Sequence, residues 1–251
     1  IFFNMIILST LFFVTAILYS SVGFGGGSTY LALLLIWEVP YYIFPLIALF
    51  CNILVVSGNS INYVKAGNFS LKLLIPFLVG SIPFAFIGGS ISIEKELFEF
   101  ILFFVLTIAG LLLLFQNKLF SQNNNKYKKL PNYISFIIGS ILGLVSGIVG
   151  IGGGIFLSPI LFLLRAADPK KITTTASLFI LTNSLAGVMG QLTKGNVIDK
   201  LTEYWPLFLI VLIGGQIGNF LNLKIFSNRT LVVITALLVL FVAIRMGLKI
   251  S

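Results

Sequence analysis

Gly23-Phe24-Gly25-Gly26-Gly27 recurs as Gly150-Ile151-Gly152-Gly153-Gly154, and the reading of this repeated stretch decides the fold. Each copy follows a long apolar tract and precedes a short apolar run. Glycine inside a helix costs roughly 1 kcal/mol relative to alanine, so such a cluster unwinds the helix that carries it. Downstream the copies keep pace. Pro40 and Ile43 align with Pro169 and Ile172, Leu49-Phe50 with Leu178-Phe179, Gly58 with Gly187, and Lys65 with Lys194, each lysine followed closely by Gly-Asn. The expected organisation is one transmembrane domain: repeat 1 over about 1–116, a linker over about 117–131 and repeat 2 over about 132–251.

Composition names the solvent. Hydrophobic residues make up 58% of the chain and charged residues 9%, against about a quarter charged in a soluble domain. Uncharged runs such as Ile1 to Trp37 and Val39 to Val64 exceed the roughly 20 apolar residues that cross a bilayer core. The first run lacks a basic leader region and such runs recur along the chain, so it reads as a membrane helix and not as a signal peptide. Lysine and arginine outnumber acids 16 to 7, yet no basic stretch is interleaved with aromatics, which argues against nucleic acid as a partner. Cys51 is the single cysteine and histidine is absent, which removes an intrachain disulfide, His-ligated metals and imidazole bases. No catalytic residue, metal or cofactor is expected, and the chain does not read as an enzyme.

Each half reads as an apolar hairpin followed by spans at 41–63, 71–92 and 97–116, or 171–192, 203–223 and 229–248. The fold class is an all-α polytopic membrane protein with about 8–10 membrane helices. Positive loops mark the cytoplasmic side, and Lys118, Lys126, Lys128 and Lys129 place the central linker there. The Lys65/Lys72 loop, Arg165/Lys170/Lys171 and Lys224/Arg229 then fall inside, with Glu38, Glu94/Glu96 and the balanced 194–203 loop outside; Lys249 is an objection. Equivalent loops therefore lie on opposite sides, which defines two inverted-topology repeats, each a glycine-tipped helical hairpin plus three spans.

Broken helices at membrane depth must line a cavity or be buried in protein. Short helices restarting near Ser28 and Ile155 would point positive N-terminal ends and bare amides inward, which is an anion site. The candidate substrate-binding residues are Gly23, Gly25, Gly26, Gly27, Ser28, Thr29, Asn52, Gly150, Gly152, Gly153, Gly154, Ser158, Thr174 and Ser177, with Asn59, Asn183 and Gln191 nearby. Bulk at Gly26 or Gly153 is expected to abolish binding. For Gly139, Gly143, Gly147, Gly88-Gly89 and Gly214-Gly215 the expectation is close helix packing. Lys65 and Lys194 serve either a gate or attraction role or plain interfacial anchoring. Pro45, Pro76, Pro83 and Pro159 are expected to kink helices. The span interiors hold essentially no Asp or Glu, which disfavours a carboxylate proton relay.

Ser21-Val-Gly-Phe-Gly-Gly-Gly-Ser28, Ser146-Gly-Ile-Val-Gly-Ile-Gly-Gly-Gly-Ile155-Phe-Leu-Ser-Pro159 and Thr173-Thr174-Thr175-Ala176-Ser177 resemble the paired signatures of the TauE/SafE (sulfite exporter, TSUP) family. The resemblance implies an exporter of small sulfur-containing anions such as sulfite or organosulfonates, in a bacterial inner (plasma) membrane. Its partners would be a small anionic substrate, the lipid bilayer and, for uptake, sodium or another coupling ion. An anion channel with the same site and a sulfur-relay protein using Cys51 stand as alternatives.

Overall fold

In the computed structural model the described residues are 2–119, 127–128, 130–195, 200–221, 233, 236–237, 239–241, 243–244 and 246–248. Lys126, Lys129, Asn196, Lys224, Arg229 and Lys249 lie outside them, as does about half of the expected 229–248 span. Within them the chain forms α1 (Phe2–Val22), α2 (Gly27–Ile36), α3 (Phe44–Lys65), α4 (Leu71–Ser90), α5 (Lys95–Leu119), α6 (Asn132–Val149), α7 (Gly154–Leu163), α8 (Pro169–Leu192) and α9 (Trp205–Leu221). No strand occurs among the described residues.

Six helical segments are long and apolar enough to cross a membrane, and five are the expected spans: Tyr41–Lys65, Leu71–Ser90, Lys95–Leu114, Pro169–Leu192 and Thr202–Leu221. The sixth, Asn132–Val149, was expected to be a hairpin arm. It has spanning length, but the chain returns after it: Lys128 N donates to Arg165 O at 2.9 Å, so the start of α6 and the end of α7 lie at one end of the bundle. The start of α1 and the chain after α2 lie at the other end. There Met5 and Ile6 share a groove with Pro206 and Ile210 of α9, and Tyr42 is within electrostatic reach of Lys200.

Local sequence sets the helix ends. Pro45, expected to kink a span, instead sits in the first turn of α3 after a 3-10 turn over Tyr41–Ile43. A missing N–H is harmless there, and the fixed φ favours the helix. Pro169 starts α8 likewise, with Asp168 as N-cap accepting from Lys171 N at 3.0 Å. Pro76 and Pro83 lie inside α4, and Pro159 inside α7. Both short helices end in a left-handed residue that is not glycine, Glu38 (φ 54°) and Arg165 (φ 50°). The closing bonds match: Val39 N donates to Leu34 O, and Ala166 N to Leu161 O.

Small residues fix the packing. On α6, Gly139, Gly143 and Gly147 lie against the carbonyls of Phe77, Ser81 and Ala85 of α4, where no Cβ would fit. Gly214 and Gly218 of α9 lie against the carbonyls of Phe13 and Ile17 of α1, and Gly215 O accepts from Ser20 Oγ at 2.6 Å. Gly89 and Gly190 complete the same close approach between α4 and α8. Lipid offers no hydrophobic drive for helix association, so such backbone-level contact is what holds membrane helices together. α5 shows the solvent from the other direction. Phe98, Leu102, Leu106, Ala109 and Leu113 face the core, while Phe100, Phe104, Ile108 and Leu111 face out. A helix apolar on both faces suits hydrocarbon and not water.

Candidate functional site

The glycine clusters break their helices where the sequence placed the breaks. Gly23 (φ 83°) and Gly26 (φ 86°) are left-handed in the first, and Gly150, Gly152 and Gly153 (φ 92°, 80° and 76°) in the second. Gly26 and Gly153 are the N-caps of α2 and α7. Helix bonding starts with Thr29 and Tyr30 donating to Gly26 O, and with Phe156 and Leu157 donating to Gly153 O. The amides of Gly27, Ser28, Gly154 and Ile155 stand ahead of those donors, without an acceptor inside their helices. Each is at a helix N-terminus, where the aligned peptide dipoles favour negative charge.

The two breaks overlap around Asn52 of α3. A Cβ placed on Gly27 would lie 2.7 Å from Asn52 Nδ2 and 2.8 Å from Ile151 O; one on Gly152 would lie 2.8 Å from Asn52 Nδ2 and 3.1 Å from Ser184 Oγ. A Cβ on Gly25 would strike Asn52 Oδ1. Asn52 Nδ2 donates to Ile151 O at 3.1 Å, a bond from the long helix of the first half to the glycine break of the second. Asn52 Oδ1 and Ser184 Oγ, which face Gly25 and Gly152, are buried without a hydrogen-bond partner; Tyr30 OH, Ser81 Oγ, Ser146 Oγ and both side-chain polar atoms of Asn183 are orphaned as well. Orphaned buried polar atoms cost about 1–3 kcal/mol each, so the two at the crossing mark a place that a ligand or a moving backbone completes.

The breaks also reach past one another. Gly23 comes up to Tyr63 and Thr173, near the end of α3 and the start of α8, while Gly150 abuts Pro45 at the start of α3. Gly26 and Gly153 face Tyr30 and Phe179, away from Asn52. Substituting them therefore probes left-handed backbone and ring packing; Gly25, Gly27 and Gly152 are the positions where bulk meets the centre.

The predicted hydroxyls divide. Thr29 Oγ1 lies 2.6 Å and Ser28 Oγ 3.5 Å from Tyr19 OH, beside the first break. Ser177 Oγ is 3.1 Å from Ser60 Oγ, joining α8 to α3. Thr174 Oγ1 donates back to Lys170 O at 2.9 Å and so is turned onto its own helix. Ser158 is buried in α7. Asn59 Nδ2 donates to Ser20 O at 2.8 Å, and Gln191 Nε2 to Gly147 O at 2.9 Å, each closing the end of a broken helix. Lys65 is exposed at the end of α3, whereas Lys194 Nζ donates to Gln191 Oε1 at 3.0 Å. Cys51, next to Asn52, is fully buried in the apolar core. Ser184, Ser60 and Tyr63 were not singled out from sequence; the polar pairs Asn59-Ser60 and Asn183-Ser184 inside apolar helices were the available signal.

Among the described residues no cluster of His, Cys, Asp or Glu could hold a metal ion. The family model described as sulfite exporter TauE/SafE matches residues 8–246. A protein of Sinorhizobium fredii named a probable membrane transporter is 25% identical over 95% of this chain and 96% of its own length. Proteins of Bacillus subtilis and Methanocaldococcus jannaschii with the same description are 23% identical over 97% of both chains, and 26% identical over 90% of this chain and 89% of the relative. No solved structure gives a significant match.

Proposed function

The chain belongs to the sulfite exporter TauE/SafE family of membrane transporters, and from that premise we propose that it carries small sulfur-containing anions, such as sulfite or organosulfonates, by alternating access. The observation that carries the reading is the meeting of two glycine-broken helices at Asn52, with the N-terminal ends of α2 and α7 and the orphaned Asn52 Oδ1 and Ser184 Oγ beside it. Asn52 Nδ2, now on Ile151 O, would transfer its hydrogen bond to an anion oxygen as the breaks separate. The amides of Gly27, Ser28, Gly154 and Ile155 would supply the rest of a cradle that carries partial positive charge and no titratable group. A site of that kind is indifferent to pH and suits an anion moving down its electrical gradient, which favours exit from a negative interior by about 2.3 kcal/mol per charge per 100 mV.

In this reading the halves are inverted repeats with the central linker in the cytoplasm, and the membrane is a bacterial inner membrane. Two observations support the symmetry. Gly23 comes up to Thr173 near the start of α8 as well as to Tyr63, and Gly150 to Pro45 in the first turn of α3; α6 packs on α4 as α1 packs on α9. Each broken helix would thus be gripped by the opposite half, the arrangement in which rocking one half against the other opens the site to alternate sides.

The orphaned acceptor Oδ1 of Asn52, a residue beside both breaks, favours a second element, a sodium ion bound beside the anion during uptake. Thermal-shift measurements on purified protein with sulfite, sulfate, thiosulfate, organosulfonates and carboxylates, each with and without sodium, test both. Stabilisation by sulfur anions that is weakened in Asn52→Leu supports the site, and sodium enhancement supports coupling. Equal shifts in wild type and Asn52→Leu would sink the site assignment. Counterflow of labelled sulfite identifies a carrier; a non-saturating conductance identifies a channel. Cys51→Ala is expected to transport normally, and a loss of sulfur transfer there would instead revive the relay.

A further inference from the structure

Lys65 and Lys194 occupy matching places in the two halves, but their surroundings differ. Lys65 extends into the open at the end of α3. Lys194 folds back over the end of α8, half-buried, and lines a pocket of about 370 Å³ with Tyr41, Tyr42, Pro45, Ser92 and Phe98. An interfacial anchor reaches outward so that its ammonium stays in water; this one reaches inward. Its Nζ is held by the fully buried Gln191 at 3.0 Å, and Gln191 in turn donates to Gly147 O in the last turn of α6. Among the described residues no carboxylate forms an ion pair with it. Burial holds its ammonium below the usual lysine range. An ammonium has three donors, and the bond to Gln191 leaves capacity for a ligand.

The pocket adjoins the second glycine break. Pro45 lines the pocket and its Cα abuts Gly150, while Ile148, also a lining residue, is two positions before that glycine. The walls are largely aromatic and aliphatic, with Ser92 and the tyrosine hydroxyls as further polar groups.

We propose that this pocket is a second anion subsite, distinct from the Asn52 centre, in which Lys194 holds the charged end of a small organic anion, a sulfonate or carboxylate with a short apolar part. The apolar part lies against Tyr41 and Phe98, and the Pro45–Gly150 contact separates this loading position from the centre. A cation in this pocket attracts anions and repels cations before either reaches the glycine breaks. The subsite exists at one end of the bundle only, because Lys65 has no corresponding inward hold. This proposal rests on the carrier reading, and its test separates the two.

Flux of labelled ethanesulfonate and sulfite is measured in right-side-out and inside-out vesicles. Lys194→Gln is expected to raise the apparent KM about tenfold in one orientation only, the scale of one charge-assisted hydrogen bond, with the maximal rate unchanged. Lys194→Arg restores most of the affinity, and Lys65→Gln changes neither orientation. A KM shift of equal size in both orientations, or none, overturns the subsite while leaving the carrier reading intact. If wild-type vesicles carry neither probe, the carrier reading fails, and equilibrium binding of ethanesulfonate to purified protein decides the subsite. Binding that survives in Gly27→Val and is lost in Gly27→Val/Lys194→Gln supports it; no binding in Gly27→Val overturns it.

Discussion

The two glycine breaks are alike in backbone and unlike in lining. Both end in a left-handed N-cap glycine, Gly26 or Gly153, and both start a ten-residue helix. The first carries its own hydroxyls, Ser28 and Thr29, and commits them to Tyr19 of the preceding helix. The second opens Gly154-Ile155-Phe156-Leu157 and brings no polar side chain in its first turn. What faces it comes from elsewhere: Asn52 from α3, and Ser184 from α8. Duplicated sequence thus yields duplicated backbone, while the polar groups beside the two breaks come from different places, with Asn52 shared between them. The second break is the part of the centre that depends on borrowed side chains.

That asymmetry is most severely tested at Gly27, which lies at the crossing but is free of the left-handed backbone that would make substitution strained anyway. Gly27→Val drives a side chain into Asn52 Nδ2 and Ile151 O together. Transport in vesicles should fall at least about hundredfold, the scale of two lost charge-assisted hydrogen bonds, with the protein still eluting as a folded species. Retained transport would remove the crossing from the mechanism. Asn52→Leu should cost less, about tenfold in apparent affinity, because the amides of both helix ends remain. Asn183→Leu provides the sharper contrast. Both polar atoms of Asn183 are already without partners, so its replacement is expected to raise thermal stability while lowering anion affinity. A variant that is less stable and binds normally would show that Asn183 serves the fold alone.

Membrane character, the positions of five spans and both breaks followed from hydropathy and glycine density, because these are properties of a chain segment considered alone. Which residues converge was less legible. Asn52 was identified from its polarity within an apolar run, but its bond to Ile151 crosses between halves and depends on how far each break reaches past the other. Thr174 reads as a site residue from its hydroxyl and its place in a threonine run; a helix lets that hydroxyl satisfy itself on the carbonyl four residues back, as it does on Lys170 O. Pro45 carries no signal that distinguishes a kink from a helix start without the position of the preceding turn. Asn132–Val149 has the length of a span, and the bond from Lys128 to Arg165 shows what the length does not, that the start of α6 and the end of α7 lie at one end of the bundle.

The halves differ again where their long central helices begin. α8 has a side-chain cap, with Asp168 accepting from Lys171 N and pairing with Lys171 Nζ at 3.0 Å, whereas α3 starts from a 3-10 turn without one. Partial burial raises the Asp168 carboxyl pKa, but the Lys171 hydrogen bonds and charge outweigh it and lower it on balance. A carboxylate with a depressed pKa contributes stability above its unfolded pKa and loses it as pH falls through the folded one. Asp168→Ala should therefore cost about 1 kcal/mol near neutral pH and progressively less in acid, read by thermal unfolding in detergent. An equal cost at all pH values would assign the effect to packing.

The smallest effect is expected where the halves agree most closely. Glu38 and Arg165 each hold the left-handed position after a short helix, and each is followed by the same closing bond five residues back, Val39 N to Leu34 O and Ala166 N to Leu161 O. That conformation suits glycine, and a residue with a Cβ pays roughly 1 kcal/mol to adopt it. Glu38→Gly should raise stability by about 0.5–1 kcal/mol, less than the full conformational cost because glycine also gains freedom in the unfolded chain. Arg165→Gly should gain a similar amount, since the backbone conformation and the closing bond are the same. Unequal gains would mean that one of the two side chains holds its helix end through contacts of its own. A loss at Glu38 would mean that its carboxylate holds the end of α2 more firmly than the backbone geometry implies, and the apparent equivalence of the two helix ends would be one of shape without a shared energetic cause.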